Sequence, residues 1–284
     1  MSAIVEFYGY YVGDKSVDWQ KIVAEQVDKY TGKRSIKIRK SDPTQTIGTT
    51  VIKCGRDPRD LIVDPMRFLE DGKVFVDCLH LLKNHEPGNE LHLIPELQIP
   101  GGNVDFFLAS VRDGKVRDFV GIELQSLDTT GSLWAERQLL LQKLGIDVSG
   151  VEITKKNFGI NWKMTAKTTL VQLHHKLLTF EHLNKHFVLI LQDHLLDYME
   201  REFDFSSFHE PVRSGDPMHI HAYEYVVEDN DTTAIKLKRR ISSDVLGVAA
   251  SLGLKTEAKV ELEVIIEKIE KRLSDATRFN PLSQ

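Results

Sequence analysis

The chain has 284 residues, 41 % hydrophobic and 28 % charged, enough to bury a large core and ordinary for a folded protein in water. No run of about 18 apolar residues is present, which excludes a helical membrane span, and the start, MSAIVEFYGYYVG, lacks the basic-then-apolar layout of a secretory leader. The net charge of −5 excludes a wholly basic body while leaving room for a basic groove, and Cys54 and Cys78 alone cannot make a disulfide framework, which fits a reducing cytoplasm.

Residues 15–31 read as an amphipathic helix that stops at Gly32. The most basic stretch follows, KRSIKIRKS, where Lys37 and Arg39 are candidates for a DNA phosphate backbone or simply belong to a solvated strand. IGTTVIKCG, residues 47–55, reads as a strand. Two Asp-Pro steps then mark a loop around the buried run Leu61 to Val63. Residues 73–84 are expected to form a helix, ended by Pro87-Gly88. LHLIPELQIP reads as a strand broken or bulged at Pro95.

The chain is organised around the hairpin that comes next. Residues 104–111 and 116–127 are rich in Val, Ile, Leu and Phe and flank Arg112-Asp113-Gly114, an Asp-Gly hairpin signal. With those three as the loop, Asp105 would sit opposite Gly121. Glu123 and Gln125 would follow on the same face, since strand side chains repeat with period two. A two-residue loop would instead put Asp105 and Glu123 on opposite faces, so the site requires an odd loop or a compensating bulge. Two carboxylates converging from neighbouring strands suit Mg²⁺, which takes oxygen ligands and lowers the pKa of a bound water. Glu96 is a candidate third carboxylate or orienter of a metal-bound water; solvating the turn at Pro95 is its plainer role. Ordinary strand-face acids in contact with water are the alternative to the whole site.

Beyond the hairpin, Asp128, Thr129, Thr130 and Ser132 are cap residues for a helix from Trp134 to Leu144. The hydroxyls of Thr129 and Thr130 are also candidates for contact with DNA phosphates. A helix from about Met164 to Asn184 carries a core stripe of Leu170, Leu173, Leu177 and Phe180. Lys163 and Lys167, one turn apart near its start, would attract phosphate. His175, His182 and His186 also recur along it, and with His219 and His221 they offer a rival, a histidine-bound transition metal. Phe187 to Gln192 reads as an interior strand, Asp193 to Phe203 as a helix, and residues 219–228 as an alternating strand. IKLKRR, residues 235–240, is basic. A short capped helix and an amphipathic C-terminal helix with Leu262, Ile265, Ile266, Ile269 and Leu273 complete the chain.

The phrases PELQIPGGNVDFFL, GIELQSLDTTGS and GINWKMTAKTTLVQLHHKLLTFEHLNKH resemble the NotI-type restriction endonuclease family, over roughly Leu61 to Phe203. D…E-x-Q is similar to the PD-(D/E)XK nuclease pattern with Gln in place of Lys. The resemblance implies an α/β (α+β) fold, a PD-(D/E)XK restriction-endonuclease-like mixed sheet flanked by helices, with N- and C-terminal additions. It implies three stretches: an N-terminal helix and basic arm (1–60), the nuclease core (61–203) and a C-terminal region for DNA contact or dimerisation (204–284). It implies catalytic Asp105, Glu123 and Gln125, with Asp105 and Glu123 on Mg²⁺. Its substrate would be double-stranded DNA cut at a specific palindromic site by a homodimer, partnered by a separately encoded DNA methyltransferase. Some members carry a four-cysteine metal site, which Cys54 and Cys78 cannot supply, so no structural iron or zinc is expected. Gln125 has no charge and cannot act as an acid, so the metal or another cation, with Lys163 and Lys167 as candidates, must do more. The alternatives are a nuclease of repair or recombination without site specificity, and a DNA-binding protein with a degraded nuclease site.

Overall fold

A computed structural model describes residues 2–148, 158–228, 232–253 and 262–280. The chain first forms β1 (Ile4–Phe7), β2 (Tyr10–Tyr11), α1 (Trp19–Glu25), β3 (Ile38–Arg39), β4 (Asp42–Thr46), β5 (Thr49–Cys54) and β6 (Arg59–Ile62). Next come α2 (Lys73–Val76), β7 (Glu90–Ile99), β8 (Gly102–Arg112) and β9 (Lys115–Gln125). A short excursion follows, with β10 (Thr129–Thr130), α3 (Trp134–Lys143) and β11 (Gly159–Ile160). The remainder is α4 (Trp162–His182), β12 (His186–Gln192), α5 (Asp193–Glu202), β13 (Met218–Val227), β14 (Thr233–Ser243), α6 (Val245–Leu252), α7 (Leu262–Glu270) and β15 (Arg278–Phe279).

These elements make a mixed α/β protein of two compact units. The first unit holds Met1–Glu70, Ser126–Thr165 and Glu224–Lys236; the second holds Asp71–Gln125, Ala166–Tyr223 and Leu237–Gln284. They cut across the three stretches expected from sequence, because the chain leaves the second unit after β9 and re-enters it along α4. Among the described residues no helix is long and apolar enough to cross a membrane.

The first unit is built on a small sheet in the order β2-β1-β5-β6. Ile4, Phe7 and Tyr8 pack with Leu140 and Leu141 of α3, and Trp19, Ile22 and Val23 of α1 close over them. The expected helix over 15–31 is shorter than its apolar pattern. Gln26 takes a left-handed conformation (φ 55°) and caps α1, and Val27 then bridges to Arg34.

The second unit carries most of a seven-stranded sheet ordered β14-β13-β12-β9-β8-β7-β15. β7, β8 and β9 form an antiparallel meander, while β12 runs parallel to both β9 and β13. A parallel neighbour needs a long crossover, which α4 completes. β12 is buried along its whole length, as its continuous apolar run predicts. Leu170, Leu173, Leu177 and Phe180 are all buried, so the predicted stripe is the face that α4 turns to its core. The helix expected over 73–84 is only α2 followed by a 3-10 turn at Leu79–Leu81.

Gly121 lies where α4 crosses β9. A Cβ there would stand 2.2 Å from the Phe180 ring and 2.8 Å from Phe187. Its role is to admit Phe180, whose ring centroid is 4.8 Å from that of Phe187. The space beside Asp105 that the sequence assigned to Gly121 is not there; Gly121 is opposite Phe107.

Candidate active site

The β8–β9 hairpin sets the geometry. Arg112 pairs with Lys115, so the loop is Asp113-Gly114 and not the three residues expected. Asp113 and Gly114 both have positive φ (54° and 69°), which suits the tight turns whose twist matches paired strands. Taken alone, this loop would have separated Asp105 from Glu123. Val111 pairs with Val116 but Ser110 pairs with Asp118, so Arg117 is an extra residue, a β-bulge. The bulge shifts the register by one more position and restores the face. The ladder runs on to Phe106 opposite Ile122, which brings Asp105 opposite Glu123 itself.

The two carboxylates are tied to each other's strands. Leu124 N–H donates to Asp105 Oδ2 at 2.8 Å. The backbone of Asp105 in turn favours the charged form of Glu123. Across β7, Pro95 pairs with Phe106 and Leu97 with Val104, so Glu96 stands level with Asp105. Glu96 is exposed and left-handed (φ 46°), the irregularity expected at Pro95. Its charge helps raise the Asp105 pKa.

α4 covers this face of β9 in step with the strand. Phe180 lies over Gly121, Lys176 reaches Glu123, and Thr169, Gln172 and Leu173 line a small pit with Glu123 and Gln125. The pit measures about 10 Å³, close to what one water requires. Lys176 Nζ donates to Glu123 Oε1, and the two side chains are only 7 % and 18 % exposed. Among the described residues the buried Glu123 Oε2 has no hydrogen-bond partner.

Burial pushes the Glu123 pKa up to about 7, the Asp105 charge adds to the rise, and Lys176 opposes it. Asp105 is raised as well, first by burial, against the pull of the Leu124 N–H and Lys176. Two carboxylates thus share one ammonium in a place poor in water. A hard divalent cation would relieve both, and an orphaned carboxylate oxygen with a neighbouring carboxylate is the donor set it takes. Among the described residues no group of three or more His, Cys, Asp or Glu side chains is arranged to hold a metal. Any such ion therefore draws on two carboxylates and needs oxygen atoms from elsewhere.

Sequence reasoning missed Lys176. The signal was present: Lys176 falls between Leu173 and Phe180 on the buried stripe, where a cation needs a partner. Lys163 and Lys167, the lysines singled out instead, are exposed on α4. Lys37, Arg39 and Thr129 come together elsewhere, in the wall of a cavity of the first unit. Thr130 pairs with Gly159 in the two-residue ladder of β10 and β11. Neither threonine caps α3; Ser132 Oγ accepts from Trp134 N–H there.

The histidines do not form the set the sequence offered. His175 and His182 are exposed, whereas His186 is buried against His219, with Nδ1 3.3 Å from its Nε2. His221 stacks on His80 at 6.1 Å and lies 4.0 Å from Cys78 Sγ.

No family model, no curated protein and no solved structure matches the chain.

Proposed function

We propose that the second unit is a metal-dependent phosphodiesterase of the PD-(D/E)XK kind. More narrowly, the chain is a type II restriction endonuclease similar to the NotI family, a cytoplasmic Mg²⁺-dependent homodimer cutting double-stranded DNA at a palindromic site. The observation that carries this reading is the bulge at Arg117, which puts Asp105 opposite Glu123 and leaves Glu123 Oε2 without a partner. A hairpin with no function on this face has no need of an extra residue that gathers two half-buried carboxylates.

Asp105 and Glu123 would hold the ion. When bound, Mg²⁺ polarises the phosphodiester and supplies a nucleophilic water at neutral pH. The residues of the chain do the rest. Lys176 brings to Glu123 the positive charge that the pattern normally carries where Gln125 stands. Gln125 offers two amide donors and one acceptor with which to orient a water or a phosphate oxygen. The buried surround strengthens each of these interactions over its value in water. A two-fold symmetric protein suits a two-fold symmetric site.

The test is digestion of plasmid DNA by the full chain in Mg²⁺ and in EDTA, beside Asp105→Asn and Glu123→Gln. Discrete fragments that need Mg²⁺ and both carboxylates support the reading, and a smear supports a nuclease without site specificity. Specific DNA binding with no cleavage in Mg²⁺ or Mn²⁺ would establish the binding-only alternative. The Glu123–Lys176 ion pair would then be a purely structural contact.

A further inference from the structure

The first unit contains a cavity of about 790 Å³, unrelated to the carboxylate pair and within the range of small-molecule sites. Its wall has two kinds of surface. Ile38, Ile47, Val63, Leu127 and Leu133 make an apolar floor, and Lys37, Arg39 and Lys40 line the same space. Among the described residues none of these three cations is in an ion pair. Lys37 donates to the carbonyl of Val63, and Arg39 lies over the Trp134 ring with its guanidinium carbon 4.2 Å from the centroid. Asp128 is the one carboxylate in the wall, and it accepts from the Thr165 hydroxyl.

Among the described residues, two donors of side chains in this wall lack acceptors. Thr49, only 2 % exposed, has no partner for Oγ1, and Trp134 has none for its buried Nε1. A buried donor without an acceptor is costly, and a turn about χ1 would bring the Thr49 hydroxyl toward the cavity that its residue lines. The first residues of α3, Trp134 and Ala135, also line the cavity and add the positive end of that helix. Apart from Asp128, the charged side chains that line the cavity are the cations Lys37, Arg39 and Lys40.

The Trp134 ring is held rigidly. Arg137, fully buried, brings its guanidinium 4.8 Å from the ring and is anchored by Gln138 and Gln45. Arg39 and Trp134 thus set a guanidinium over an indole, both half-buried and both in the wall. Planar heterocycles stack on either kind of surface, at roughly 1–3 kcal/mol per base.

We propose that this cavity binds a nucleotide, with its base extending the Arg39–Trp134 stack over the apolar floor. Lys37, Lys40 and the Thr49 hydroxyl, after a turn about χ1, would meet the phosphate. An inorganic anion would satisfy the cations but leave the floor and the stack uncovered. An uncharged heterocycle would leave the cations unmatched. The nucleotide can be free, or one unpaired and turned out of a DNA strand; the chemistry recognised is the same.

The test is calorimetric titration of the full chain in EDTA with deoxyadenosine monophosphate, with inorganic phosphate, and with short duplexes either fully paired or carrying one unpaired nucleotide. The expected result is nucleotide binding about tenfold or more tighter than phosphate. Arg39→Gln and Thr49→Val should each weaken it about tenfold, while the melting temperature of Thr49→Val is not lowered, since that hydroxyl has no bond to lose. Preference for the duplex with the unpaired nucleotide assigns the site to DNA, and preference for the free nucleotide assigns it to a small ligand. Nucleotide binding no tighter than phosphate, or binding indifferent to both substitutions, would overturn the proposal. Because no metal is present, failure of the chain to cleave DNA does not bear on the outcome.

Discussion

Each unit gathers two carboxylates around one cation, Glu6 and Glu70 about Arg67 in the first and Asp105 and Glu123 about Lys176 in the second, and the two differ in how the carboxylate oxygens are met. In the first unit Glu6 and Arg67 are both fully buried, with Arg67 Nε 3.0 Å from Glu6 Oε2. Arg67 Nη1 adds a bond to Glu70 at 3.0 Å, and its guanidinium lies 4.8 Å from the Tyr30 ring and 5.4 Å from Tyr225. Glu6 Oε1 accepts from the hydroxyls of Tyr30 and Thr233. The guanidinium there is matched from several sides. In the second unit two carboxylates, Asp105 and Glu123, divide one lysine, and an oxygen of Glu123 is left over. The lesson is that burial of charge does not by itself mark a functional site, since both Glu6 and Glu123 have raised pKa values with burial as the first cause. What distinguishes them is one oxygen: both oxygens of Glu6 lie within bonding distance of a donor, whereas among the described residues Glu123 Oε2 has none.

The contrast predicts opposite responses to neutralising substitutions. Asp105→Asn or Glu123→Gln should lower DNA cleavage by about 10³-fold or more while leaving the melting temperature unchanged or higher. Measured fragments per unit time and a thermal scan on the same samples check both halves; a large fall in melting temperature would make the pair structural, like Glu6 and Arg67. Arg67→Ala should do the reverse. It strands Glu6 and Glu70, at about 3–5 kcal/mol by urea unfolding.

Gly121→Ala is expected to cost about 1–3 kcal/mol, because the new methyl group meets Phe180 and Phe187 inside a packed core. The effect on cleavage should follow from stability alone. A cleavage defect in an equally stable protein would return Gly121 to the site.

The smallest effect is on pH dependence. Burial holds His219 down to about 4, with His186 adding to the fall, and depresses His221, His186 and His80 as well. An unfolded histidine titrates near 6.5. The unfolded chain therefore binds more protons than the folded one between pH 6.5 and about 4, and stability is lost as pH falls through that window. Glu123 acts the other way: its folded pKa of about 7 exceeds the unfolded 4.5, so its burial is less costly as pH falls between them. Melting temperature against pH should thus drop from pH 6.5 to 4, more steeply in Glu123→Gln. A flat profile would mean that the histidines already exchange protons freely.

Much of the site was legible because strands are periodic. Asp105 lies on one apolar run and Glu123 and Gln125 at alternate positions of the next, so they share a face whenever the register has the right parity. The register was not legible. Reading Arg112-Asp113-Gly114 as the loop placed Asp105 opposite Gly121, while the real loop is one residue shorter and Arg117 bulges out. The two departures act together, so parity survives and the partner changes. The ends of α1 and α2 were misread for a related reason. An apolar pattern continues past Gln26 and past Val76, but the chain turns there to meet other parts of the fold.

Short-range rules thus settled by themselves the existence of the hairpin, the strand-length run of β12 and the stripe of α4, since each depends only on local spacing, whereas the acids share a face only through the bulge at Arg117. Which lysine faces Glu123, which glycine admits a phenylalanine, and which basic residues gather round Trp134 were decided only when distant segments packed. Those choices depend on crossing points between elements, and a crossing point is a property of two surfaces that no spacing within either one contains.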